Sequence, residues 1–195
     1  MPTLLMGMLF FTSPAIVGVD VLTPVIRLTL LGFICMTTFV VPALGIYYLY
    51  RAGYVKSLHL DDLADRRLPY FLTAFFYAFA TYFFSYQLAP LSEIAPEIGI
   101  VLGSITVSIA IVGVISMSWK ISAHGTGIGG LLGAVLGIAV KFGENRLLYP
   151  FLVFVILGGM LMSARLQLNA HTPAQVSAGF SLGILVSVIT VWWFV

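Results

Sequence analysis

Charge is scarce in this sequence: 8% of its 195 residues are Asp, Glu, Lys or Arg, where a soluble domain carries about 25%. So few charges cannot clothe a water-facing surface, which excludes a soluble globular domain. Cysteine is scarcer still. Cys35 stands alone inside an apolar run, so the chain can build neither an internal disulfide nor a cysteine metal cluster. The net charge is only +2, and no basic tract is interleaved with aromatics, which argues against nucleic acid as a partner. A basic n-region followed by a small-residue cleavage site is also missing, so residues 2–19 are expected to be a membrane segment and not a cleaved signal. There are three histidines, and neither His124 nor His171 has a carboxylate beside it in sequence. Asp61, Asp62 and Asp65 lack the glycine and serine pattern of a calcium loop and are expected, with His59, to be a solvated loop. No metal and no cofactor are predicted.

What the sequence has in abundance is hydrophobic residues, 61% of the chain. A bilayer core about 30 Å thick needs roughly 20 apolar residues of helix. Seven apolar runs approach that length, over residues 2–19, 25–50, 70–89, 97–118, 125–141, 147–165 and 173–195. Prolines, glycines and charged residues mark the breaks, among them Arg51 to Pro69, Lys120 to His124 and Asn169 to Pro173. Pro14 interrupts the first run and Asp20 follows it at once. The expected fold is all-α, a polytopic transmembrane bundle of six or seven helices. It forms a single integral membrane domain over residues 1–195, with no linker long enough for another and no tandem repeat.

Successive breaks alternate between the two membrane faces, so the loops ending at Pro69, around Lys120 and around Arg165 to His171 open on the same side. That side collects Arg51, Lys56, Arg66, Arg67, Lys120, Arg165 and all three histidines. The other carries Arg27, Lys141 and Arg146 among Asp20, Glu93, Glu97 and Glu144. The basic, histidine-rich face suits an anion. Once Arg67, Lys120 and Arg165 are set aside as ligand candidates, the cations are three against three, so charge asymmetry does not orient the chain. Arg51, Lys56, Arg66, Arg27, Lys141 and Arg146 are expected to snorkel to headgroups.

Two stretches concentrate chemistry. In Trp119 to Gly133, His124 immediately precedes a glycine-rich run, which puts it by a helix N-terminus where free N–H groups and the dipole attract an anion. Lys120 and Ser122 flank the same point. Gly125, Gly129, Gly133 and Gly137 recur every four residues and predict a close helix contact. In Ser163 to Gly183, Arg165 ends one apolar run and His171 opens the next, with Thr172 as N-cap and Pro173 as first helical residue. Gln175 suits a capping box with Thr172 and also lies within reach of His171; the two roles are compatible.

These residues resemble the type-2 phosphatidic acid phosphatase superfamily of membrane lipid phosphatases. Its signature runs lysine, six residues, Arg-Pro; then Pro-Ser-Gly-His; then Ser-Arg, five residues, His, three residues, Asp. The third part is matched by Arg165, His171 and Gln175, with Ala164 at the serine position. Ile121, Ser122, Ala123 and His124 match the second, keeping its serine and histidine. The first is reduced to Arg66, Arg67, Leu68 and Pro69 without the lysine. The chain is similar to a divergent branch in which Lys120 replaces the missing lysine and Gln175 the aspartate.

The resemblance implies metal-independent hydrolysis of a lipid phosphate monoester or pyrophosphate, in a bacterial plasma membrane. His171 is then the nucleophile that forms a phosphohistidine, and His124 the acid and base. Arg165, Lys120 and Arg67 bind the phosphate, assisted by Ser122 and the amide at Gly125. The partners implied are the lipid phosphate and the surrounding membrane lipids. An anion or lipid transport protein, or a lipid-binding protein that has lost catalysis, are the competing classes.

Overall fold

The computed structural model describes residues 1–58 and 62–195; the expectations for His59 and Asp61 lie outside the described residues. Eight α-helices are described: α1 Pro2–Thr12, α2 Pro24–Arg51, α3 Leu63–Gln87, α4 Ala89–Ile94, α5 Pro96–Ile115, α6 Ala123–Phe142, α7 Asn145–Gln167 and α8 Pro173–Phe194. No strand forms among the described residues. Helices α2, α3, α5, α6, α7 and α8 are each long and apolar enough to cross a membrane. The protein is therefore an all-α integral membrane bundle.

The first run does not span. At 11 residues α1 reaches only about 16 Å, half a bilayer core. Pro14 opens a separate 3-10 turn, Pro14–Val17, and Gly18 ends it at φ 64°. Arg27 then pins this connector, its guanidinium donating to the carbonyls of Leu22 at 3.0 Å, Phe10 at 3.1 Å and Asp20 at 2.9 Å. It fastens the chain; it does not snorkel to headgroups.

A second boundary also moves. Helix α3 begins at Leu63, a full turn and more before the expected start, and carries Pro69 inside it. Asp65 is buried there and accepts from the Lys56 amide at 3.0 Å, which ties the preceding loop to the helix. The loop up to Pro69 is thus shorter than the charges of Arg66 and Arg67 suggested, because those charges ride on the helix.

The outward faces invert the pattern of a soluble protein. Phe71, Phe75, Val107, Leu136, Ile156 and Leu185 are exposed, as expected of side chains that meet lipid. Small residues make the inner contacts. Helices α6 and α8 pack most closely. A Cβ on Gly125 would lie 2.9 Å from the Val176 carbonyl oxygen, one on Gly133 2.9 Å from Ile184 Cα, and one on Gly129 would collide with the Phe180 carbonyl. The approach is reciprocal: Gly179 faces the Ser122 carbonyl and Gly183 the Thr126 carbonyl. Helices α3 and α5 form a second pair, bridged by Thr81 and Thr106 hydroxyls 2.9 Å apart.

The buried apolar core joins Leu5, Leu9 and Phe10 of α1 to Ile98 and Leu102 near the start of α5 and to Val135 and Ile138 near the end of α6. It therefore fills the half of the bundle away from the N-terminal ends of α6 and α8, and short α1 serves as packing there.

Because the α6–α8 contact is backbone against backbone, it has nowhere to yield. Gly129→Ala should destabilise the protein by about 1–3 kcal/mol. Gly137→Ala, which meets only the Val191 side chain at 3.3 Å, should be milder. Thermal unfolding of the two variants in detergent checks the ordering.

Candidate functional site

Ser122 caps α6, its Oγ accepting from the Gly125 amide at 3.1 Å, and His124 follows within the first turn. Thr172 caps α8 with Pro173 in the first turn, and the capping box with Gln175 is complete. The two helix starts touch directly, since Gly125 rests on Val176 and Gly179 on Ser122. Both histidines therefore stand at one end of the bundle, beside two adjacent helix N-termini.

The spacing of Arg165 and His171 has a local cause. Helix α7 ends in a turn in which the Ala170 amide donates to the Arg165 carbonyl at 3.1 Å and the Asn169 amide to Leu166 at 3.0 Å. Asn169 takes φ 50°, the left-handed conformation such a terminus requires and that asparagine tolerates. Five residues are what this turn needs to leave one helix at Arg165 and present His171 ahead of the next.

His171 is buried. Its Nδ1 lies 3.1 Å from the Lys120 carbonyl oxygen and 3.3 Å from Gln175 Oε1. Both partners are acceptors, so Nδ1 carries the proton and Nε2 keeps a free lone pair. Gln175 Oε1 also accepts from the Thr172 amide at 3.1 Å. One oxygen thus performs both roles expected of Gln175.

Two guanidinium groups stand near enough to act on both histidines, although neither they nor His124 line the cleft of His171. The charges of Arg66 and Arg165 act on both His124 and His171. Arg66 is buried and donates through Nη1 to the Ile121 carbonyl at 3.3 Å. Arg165 is half-buried, and its Nε is a buried donor with no hydrogen-bond partner. Burial, and after it the Arg66 charge, lowers the His171 pKa from the ordinary imidazole value, with Arg165 adding to the effect. The Lys120 carbonyl and Gln175 oppose it by favouring the protonated ring. Lys120, His171 and Gln175 line one cleft of about 510 Å³.

Not every residue expected at the site is brought there. Arg67 is exposed, because on α3 it shares the outward stripe of Phe71 and Phe75. Arg66 lies on the inward stripe of Tyr70, Thr73 and Tyr77, and it takes the place expected of Arg67. That stripe was legible as a helical period, had the helix been started at Leu63. Ser122 is fully buried and its oxygen is engaged with the Gly125 amide, so both cap the helix and neither lines the cleft. His124 is exposed, and Lys120 adds a main-chain acceptor that no side-chain motif could announce.

Comparison with known proteins gives no match: no family model, no curated protein and no solved structure matches the chain.

The turn at Asn169 sets where His171 stands, so its conformation is testable separately from chemistry. Asn169→Gly should leave thermal stability unchanged or slightly raised. Asn169→Val, forced into the left-handed region, should cost about 1–2 kcal/mol; equal unfolding temperatures for the two variants would show that the turn contributes nothing.

Proposed function

We propose that this protein is a membrane phosphatase that hydrolyses a lipid phosphate monoester or pyrophosphate through a phosphohistidine. The observation that carries the reading is the state of His171. A buried imidazole with Nδ1–H fixed by two acceptors and Nε2 bare, beside two arginines, is built as a nucleophile toward an anion.

In the first step the Nε2 lone pair attacks phosphorus, the N–P bond forms and the bond to the lipid oxygen breaks. His124 gives its proton to the departing alkoxide. Water then attacks phosphorus and gives a proton to His124, and the N–P bond breaks to release inorganic phosphate and neutral His171. Arg165 and Arg66 neutralise the non-bridging oxygens as charge develops, with Lys120 at the edge of the cleft. The unpartnered Arg165 Nε is a donor for one of those oxygens. With cationic side chains in that role the reading needs no metal, and turnover should survive a chelator.

Phosphate release from a purified lipid phosphate tests the reading. His171→Ala should lower the rate about a thousandfold or more, and His124→Ala about 10²- to 10⁴-fold. Because attack needs neutral His171 and its pKa is lowered, the acid limb of the pH–rate profile should fall below the ordinary imidazole value of about 6.5. Gln175→Asp places a negative charge beside the ring, raises its pKa and should move that limb upward. Gln175→Ala should slow turnover only several-fold, since the Lys120 carbonyl still holds Nδ1–H. Anion or lipid binding without any phosphate release would favour a carrier or a lipid-binding protein instead.

A further inference from the structure

Directly beneath the basic cluster lies a cavity of about 230 Å³. Ala123 and Gly127 line it beside His124, and Tyr70 lines it one turn below Arg66. It runs inward to Leu131, Ala134 and Val191, where the apolar core closes it.

Its hydroxyl groups do not make it a water path. Thr73 donates to the Pro69 carbonyl at 2.7 Å, Ser104 to Val101 at 2.8 Å and Ser108 to Ser104 at 3.0 Å. Thr126 donates to Ser122 at 3.1 Å and Thr190 to Val186 at 2.8 Å. These five protons are each turned back onto their own helix, and the Tyr70 and Tyr77 hydroxyls are engaged with Ser116 and Thr38; Ser187 and Met1 also line the cavity, whose walls are otherwise mostly methyl and methylene groups. A conduit for water or an ion needs free donors and acceptors. The chemistry of this cavity fits hydrocarbon.

Size narrows the occupant further. An apolar cavity of about 150 Å³ holds benzene, so by proportion this one takes about nine carbons in a row. Two acyl chains do not fit.

We infer that the cavity receives a single hydrocarbon chain, and that the substrate is a single-chain lipid phosphate whose headgroup rests on Arg66 and Arg165. The inference rests on the phosphatase reading for the headgroup and adds the tail. Chain and phosphate are thereby held on one line, apolar below and cationic above. A diacyl lipid would have to leave at least one chain outside the cavity.

The test uses the full chain, purified in detergent, and nonyl phosphate bearing a photoreactive diazirine near its terminal carbon. After illumination, adducts mapped by mass spectrometry should fall on cavity residues such as Ser104, Ser108, Ala134 and Ser187. Unlabelled nonyl phosphate at about ten times its Kd should reduce them about tenfold, while diacyl phosphatidic acid at the same concentration should reduce them little. Adducts on the outward Val107, Leu136 and Leu185, or none above background, overturn the tail pocket; equal competition by the diacyl lipid overturns the single-chain assignment. Phosphate release measured in parallel separates the two readings. Cavity adducts without release leave the pocket standing and sink hydrolysis, whereas release with outward adducts does the reverse.

Discussion

The site depends on how closely α6 and α8 approach at their N-terminal ends. Glycines on both helices let backbone meet backbone, Gly125 against Val176 and Gly179 against Ser122, and this brings two helix starts with their free N–H groups to one spot. The segment leading into α6 then becomes a strap used residue by residue. The Lys120 carbonyl holds His171, the Ile121 carbonyl takes Arg66, and the Ser122 amide donates to the Gln175 carbonyl at 3.2 Å. Without the close crossing the Lys120 carbonyl and the Ser122 amide would have no partners across the interface, and the imidazole would not be fixed.

A second constraint is electrostatic. Bringing Arg66 and Arg165 to two histidines inside a membrane bundle concentrates positive charge where it is costly. Burial first, and the Arg66 and Arg165 charges with it, disfavour a proton on His171 and lower its pKa from the ordinary imidazole value. On the proposed reading, phosphate affinity and a free nucleophilic nitrogen would both follow from this arrangement of charge. The largely apolar cavity lies beneath this basic cluster.

Much of this was legible in the sequence where the physics is periodic or local. Six of the seven apolar runs are long membrane helices, the four-residue glycine repeat is the α6–α8 contact, and Thr172 and Gln175 form the capping box. The first of the six or seven expected spans falls short because Pro14, visible in the sequence as an interruption, and Gly18 leave a helix of half the needed length. Arg66 and Arg67 were confused because charge was taken as a loop signal; on a helix the two point about 100° apart, one inward and one to the exterior. The motif assigned Ser122 a ligand role, but local capping geometry gave its oxygen another partner. The Lys120 carbonyl was invisible, since every residue has one and only the fold decides which carbonyl meets a ring.

The central claim is that His171 Nε2 takes the phosphoryl group, and it can be observed directly. In His124→Ala, an aryl phosphate whose leaving group needs no proton should still phosphorylate the enzyme, while release of the phosphate by water is slowed. With the phosphate radiolabelled, the account predicts a burst of free aryl alcohol and label trapped on His171, stable to alkali and lost in acid. Label on any other residue, or turnover of the aryl phosphate by His124→Ala with neither burst nor trapped label, would contradict it.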